Sequence, residues 1–251
     1  MRKLLVFISV VLISLLIGQS VTFAITPKEL IDKVTSKTKD IKDSVIEISM
    51  SMSLIGASSE SGQTSSTKLS YRLKIESMVS PQIVRITYLE PEAFKGTVMV
   101  IDSGKKLLSM YSPMTNQVVQ SKIENAQNTS SIDLSSLNNI FQELEKTYNL
   151  TVEEKKLGKK EVYVLTATLK SNQKGDFGKG IFYLDKEAFE PIKIELHDTK
   201  NQPMTSIEIL SLKYNTGLKV SNLTSFPKGA KIVKGGTIQG PLGLPFSTPQ
   251  K

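Results

Sequence analysis

Over residues 46–54 apolar and polar side chains alternate without a break: Ile46, Ile48, Met50, Met52 and Leu54 against Glu47, Ser49, Ser51 and Ser53. A period of two places one set on one face of a β-strand. After a Gly/Ser/Thr loop at 56–66, the alternation resumes in KLSYRLKIES (68–77), with Leu69, Tyr71, Leu73 and Ile75 opposite Lys68, Ser70, Arg72 and Lys74. Further strands are predicted in QIVRITYLEP (82–91), GTVMVID (96–102) and the two arms of LLSMYSPMTNQVV (107–119), which flank a turn at 113–116. In the first arm both sides are apolar, with Leu107 and Tyr111 on one and Leu108 and Met110 on the other. A sheet with one wet face does not carry large apolar groups on both sides. These strands therefore need cover twice over.

Two segments carry the helical period instead. Thr26-Pro27-Lys28-Glu29 opens a helix with a capping box and a proline at its first position. Leu30, Ile31, Val34 and Ile41 form its apolar stripe, to about Lys42. The stretch SKIENAQNTSS is polar, and DLSSLNNIFQELEKTYNL (133–150) follows as a second amphipathic helix. Its face is Leu134, Leu137, Ile140, Phe141, Leu144 and Tyr148. Strand patterns return in EVYVLTATL, GIFYLD, PIKIELHD and TSIEILSLKY, joined by the turns DKEAFEP and HDTKNQP. The pattern predicts about nine to eleven short strands and two helices, with no parallel crossover units and no internal repeat. That is a mainly β protein with helices (α+β), built on a meandering antiparallel sheet.

The chain has 251 residues, and its first 24 read as a signal peptide. Arg2 and Lys3 precede an apolar run at 4–17, and Thr22 and Ala24 are the small residues of a cleavage site after Ala24. The run is shorter than the roughly 20 residues of a membrane span. The chain divides into this peptide (1–24), one domain (25–233) and a Gly/Pro-rich flexible tail (234–251). With no cysteine there is neither a disulfide nor a lipid-modified N-terminal Cys. Loss of Arg2 and Lys3 lowers the formal charge from +8 to +6, which reads as single lysines spread between acids. A nucleic-acid face is more concentrated than this, so no nucleic-acid partner is expected. Weak, transient contact with anionic lipid headgroups is compatible with the excess.

Candidate chemistry is sparse. His197 is the sole histidine, on the polar side of an alternating strand. With no Cys and scattered carboxylates, no metal set forms around it, and no cofactor is expected. No Gly-x-Ser-x-Gly elbow is present. DSGKK (102–106) fails as a phosphate loop, because Met99 stands where its first Gly belongs and Lys106 where Ser or Thr belongs. Glu153 and Glu154 are adjacent on a strand and face opposite ways. The expectation is a protein that is not an enzyme. The apolar residues say more: the chain has 8 Met, 9 Phe, 7 Tyr and no Trp. Met50, Met52, Met99 and Met110 fall on strands, and methionine suits surfaces that accept variable apolar ligands as well as it suits a core.

The order of these features resembles the outer-membrane lipoprotein carrier (LolA-like) and outer-membrane lipoprotein-sorting superfamily, which also includes lipid-sensing partners of anti-sigma factors. The resemblance is carried by the signal peptide and following helix, by YRLKIESMVSPQIVRITYLEPEAFKGTVMVIDSGKKLLSMYSPMTNQV, by GIFYLDKEAFEPIKIELHDTKNQPMTSIEILSLKYN and by LTSFPKGAKIV. The chain departs at LLSMYSP, where such carriers commonly hold a Trp, and in its longer 56–66 loop.

The resemblance implies an unclosed, strongly curved antiparallel half-barrel with a helical lid over an apolar cavity. It also implies an exported, periplasmic or extracytoplasmic carrier, soluble after cleavage near Ala24. Such a carrier takes up acyl chains of a lipoprotein or lipid and passes them between membrane-bound donor and acceptor proteins. The alternative on the same skeleton is a lipid-sensing envelope regulator acting through a protein partner. The expected cavity lining is Ile48, Met50, Met52, Tyr71, Leu73, Val84, Ile86, Met99, Met110 and Tyr111, under a lid face of Leu137, Ile140, Phe141 and Leu144. Arg72 and Arg85 are either solvated surface groups or donors that hold the lid shut.

Overall fold

The computed structural model describes residues 25–55, 66–123 and 144–235, together with the short strands at 238–239 and 245–246. Helix α1 (Pro27–Thr38) starts as its sequence dictates. Thr26 Oγ1 accepts from the Glu29 amide at 3.2 Å, and the Glu29 carboxylate accepts from the Thr26 amide at 2.8 Å. It ends before Ile41, which is buried outside the helix. Strands follow as β1 (Asp43–Ile55), β2 (Ser66–Met78), β3 (Ile83–Glu90), β4 (Val98–Asp102), β5 (Leu107–Ser112) and β6 (Gln117–Lys122), with a 3-10 turn at Glu92–Phe94. The second half contributes β7 (Tyr148–Leu157), β8 (Lys160–Leu169), β9 (Lys179–Asp185), β10 (Pro191–His197) and β11 (Pro203–Tyr214). The short helix α2 (Val220–Thr224) and β12 (Lys231–Lys234) come next, and β13 (Ile238–Gln239) pairs with β14 (Pro245–Phe246).

Twelve strands form one open, curved sheet in the order β12-β6-β5-β4-β3-β2-β1-β11-β10-β9-β8-β7. All neighbours are antiparallel except β12, which adds to β6 in parallel. The expected half-barrel sheet is therefore present, with a parallel strand at one edge that the hydrophobic pattern did not predict. Strand structure also continues past residue 233, since β12 ends at Lys234 and β13 follows. The second predicted helix is shorter at its C-terminal end. Residues 144–147 are helical, but Tyr148 opens β7 rather than closing the helix. Its ring is buried by stacking on Phe177 at 4.4 Å, a contact from the β8–β9 connection that local spacing does not contain.

Register makes one face of this sheet continuously apolar. One row runs Val119, Met110, Met99, Ile86, Ile75, Ile46 and Leu212 through directly paired residues. Another runs Tyr71, Met50, Ile207, Ile194, Phe182, Leu165 and Val152, from β2 to β7. We call this the inner face, since α1 packs on its β7–β9 end through Leu30, Ile31 and Val34. The outer face of β3–β6 is apolar as well, at Ile83, Val98, Val100, Tyr111 and Val118. Residues 216–235 cross it as a strap whose Leu218, Leu223, Phe226 and Ala230 pack on those side chains. The doubled apolar character of LLSMYS is thus explained: Leu108 and Met110 belong to the inner face, and Tyr111 lies beneath the strap.

Candidate functional site

The inner face holds two buried clusters. The larger one joins β1 to β5 and contains Ile46, Ile48, Met50, Tyr71, Leu73, Ile75, Val84, Ile86, Tyr88, Met99, Ile101 and Leu108. Tyr71, Tyr88 and Phe94 meet there with ring centroids 6.1–6.4 Å apart, Tyr71 standing edge-on to Tyr88. Burial, with a smaller contribution from Tyr71, pushes the Tyr88 phenol up to about 12, so it stays neutral at ordinary pH. Tyr214, packed against the same cluster, is also raised, by burial first and Glu190 second. The smaller cluster joins α1 to β7, β8 and β9. Ile194 of β10 lies in the row between them, half-buried and a member of neither.

Of the residues expected to line a cavity, Ile48, Met50, Tyr71, Leu73, Val84, Ile86 and Met99 come together in the larger cluster. Met52 and Met110 pack against it partly buried. Tyr111 does not join them, being on the opposite face against Phe226, with ring centroids 6.5 Å apart. Leu144 is buried in the smaller cluster, beside the α1 residues and Tyr148. Leu137, Ile140 and Phe141 lie outside the described residues. Sequence reasoning passed over Ile46, Ile75, Tyr88, Ile101 and Leu108 as site residues, although each stands in the same alternation as its neighbours. It also passed over Phe94, which a 3-10 turn rather than a strand brings in.

Neither arginine closes the inner face. Arg72 is on the outer side, paired with Glu47 and Glu90. Arg85 donates to the carbonyls of Leu223 at 3.1 Å and Ser225 at 2.7 Å, fastening the strap, with Glu76 beside it at 3.9 Å. Burial holds the Arg85 guanidinium below its usual range, opposed by Glu76. Among the described residues no three His, Cys, Asp or Glu are grouped to hold a metal ion, and no helix is long and apolar enough to cross a membrane. Residues 102–106 form the β4–β5 turn, in which Asp102 accepts from the Lys105 amide at 2.9 Å.

A family model described only as "-like: Uncharacterized protein" matches residues 83–225, more than half of the chain. The chain belongs to this uncharacterized family. The matched span takes in β3 to β11 and α2, and so includes the first half of the strap and nine of the sheet's twelve strands. No curated protein matches the sequence. An uncharacterized conserved protein from Thermus thermophilus is similar at 17% identity and a TM-score of 0.53, covering 82% of this chain and 98% of that one, which shows a shared fold. A putative outer membrane lipoprotein-sorting protein domain from Vibrio parahaemolyticus matches at 16% identity and a TM-score of 0.41, over 78% and 95% of the two chains. The Pseudomonas aeruginosa MucA/MucB complex matches at 11% and 0.44, over 80% and 61%. The fold shared with the Thermus protein is an open, curved, almost wholly antiparallel sheet of twelve strands.

Proposed function

We propose that the protein is an exported, non-enzymatic carrier that binds the acyl chains of a lipoprotein or lipid on the inner face of its sheet and passes them between envelope sites. The observation that carries this reading is the unbroken apolar row from Tyr71 through Met50, Ile207, Ile194 and Phe182 to Leu165 and Val152, in a sheet whose edges are not joined to each other. A methylene moved from water to such a surface gains about 0.8 kcal/mol, so a chain of some fourteen carbons gains about 11 kcal/mol before ordering costs and the competing bilayer are subtracted. A carrier must also release its cargo. Methionines at Met50, Met52, Met99 and Met110 favour that, because they repack around different chains at small cost.

The test is native mass spectrometry of the exported protein together with displacement of a fluorescent fatty acid by palmitate. Co-purified lipid and saturable displacement are expected. Met52→Asp, at a half-buried inner-face position, should weaken probe binding at least about ten-fold by placing a charge in the acyl path, with the circular dichroism of the sheet unchanged. Absence of both lipid and saturable binding overturns the carrier. Saturable binding with no transfer of lipid between vesicles turns the reading to the sensor that shares the skeleton.

A further inference from the structure

The charge of the protein is not spread evenly. Residues 25–208 hold 24 Lys or Arg and 24 Asp or Glu. After Glu208 there is no acidic residue, but there are six lysines: Lys213, Lys219, Lys228, Lys231, Lys234 and Lys251. The whole +6 excess therefore sits in the C-terminal segment, contrary to the even spread that counting along the chain suggests. The fold gives that segment a place, because residues 216–235 are the strap over the outer face and β12 at the sheet edge.

Lys219, Lys228, Lys231 and Lys234 are exposed, and none has an ion pair among the described residues. Three acids beside the strap are already engaged with other groups. Asp43 accepts from the amides of Thr216, Gly217 and Leu218, Glu76 pairs with Lys74 and Arg85, and Asp102 pairs with Lys105. At the hairpin end Glu92 pairs with Lys95. The lysine charge on this face is thus uncompensated. Beside it are apolar groups that the protein leaves in water: Met114 is 87% exposed, Ile232 61% and Val233 39%. Lys231 donates its amide to the Asn116 carbonyl at 3.0 Å, and Asn116 Nδ2 donates to the Gly229 carbonyl at 3.2 Å. These bonds set the β5–β6 turn, with Met114 at its tip, next to the lysines of β12.

We infer that the strap, β12 and the β5–β6 turn form a docking surface for an anionic lipid bilayer. Unpaired lysines are drawn to a negative headgroup layer, and exposed Met and Ile side chains gain by entering its apolar boundary. A soluble polyanion would use the first feature and leave the second unexplained. The lysines point the same way, since the segment has no arginine, the residue suited to forked recognition of individual phosphates. Docking by this outer and edge surface leaves the inner face unengaged. The inference goes beyond the carrier reading and does not depend on what the inner face holds.

The experiment is co-sedimentation of the full exported chain with phosphatidylcholine vesicles, with and without about one-third phosphatidylglycerol. Binding to the anionic vesicles is expected, with loss as salt is raised to about 0.5 M, where screening shortens to a few ångströms. Each lysine contributes about a five-fold factor near such a surface, so Lys228→Gln/Lys231→Gln/Lys234→Gln should lower partitioning about a hundred-fold. Met114→Ser/Ile232→Ser should lower it further at equal charge. These are surface positions, and an unchanged circular dichroism spectrum and unchanged fatty-acid probe binding keep a failure here separate from a failure of the carrier reading. Equal sedimentation of wild type and the lysine variant overturns the inference, as does wild-type failure to bind anionic vesicles. Binding that heparin abolishes and that Met114→Ser/Ile232→Ser leaves untouched also overturns it, in favour of a general polyanion site.

Discussion

Asp43 opens β1 with its side chain buried, and its carboxylate accepts from the Thr216 amide at 2.6 Å, Thr216 Oγ1 at 2.7 Å, the Gly217 amide at 3.0 Å and the Leu218 amide at 3.3 Å. Burial by itself raises the pKa of such a group, but here the hydrogen bonds from Thr216, Gly217 and Leu218 outweigh it and hold Asp43 below its ordinary value of 3.8. A depressed carboxylate contributes stability that is fully present above the unfolded value and is lost as pH falls through the folded one. Asp43→Ala should therefore cost roughly 3 kcal/mol in urea unfolding at pH 7, since the donors lose a charged partner. The gap to wild type should narrow below pH 4, and an equal gap at pH 7 and pH 3 would remove Asp43 as the origin. Asp43 carried no local sign of this role, because its partners lie more than 170 positions away. Met110 and Tyr111 show the same limit. Their alternation was legible, but which one faces inward depended on Phe226 and Leu223, which arrive late in the chain.

At the scale of elements, β1 from Ile46 onward and β2 were readable because apolar and polar residues alternate along them, and β3 to β5 were readable as apolar-rich runs between turns, their backs covered by the strap. β11 breaks its own alternation: Ile207 and Ile209 face inward, then Leu212 and Tyr214 do. The switch from odd to even positions is a bulge opposite Glu47 and Ile48, and it leaves Leu210 45% exposed. That phase change is present in TSIEILSLKY and could have been read there. The strap could not, since residues 216–235 have neither a helical nor a strand period and acquire meaning only from the apolar outer face beneath them. Leu223 is its fully buried anchor. Leu223→Ala should destabilise the protein by about 2–5 kcal/mol, the usual range for a core leucine. If the strap leaves the sheet in that variant, limited proteolysis should cut near Lys228 or Lys231 well before any inner strand. Cleavage unchanged from wild type, with stability also unchanged, would mean the strap is not held by its apolar contacts.

At the scale of the molecule, a twelve-strand sheet that does not close has two edges, and the chain treats them differently from the centre. β1 and β2, each 13 residues long, occupy the middle and are paired on both sides over most of their length. The β12 edge is four residues with lysine at both ends. The β7 edge carries Glu153, Glu154, Lys155 and Lys156 in succession, a charge run that discourages pairing with another strand. On the proposed carrier reading, openness would let a ligand reach the inner apolar face from a sheet edge without separating hydrogen-bonded strands. It should be visible in amide hydrogen exchange, because opening free energies rise from frayed edges to the centre of a sheet. The amides of residues 46–50 and 71–75 should be the slowest, and those of 153–157 and 231–234 should exchange orders of magnitude faster. A fatty acid on the inner face should slow β1, β10 and β11 while leaving the strap amides at 219–230 unchanged. Uniformly slow exchange at both edges would show that β7 and β12 are paired in solution, and an inner face sealed in that way would have no lateral route for an acyl chain.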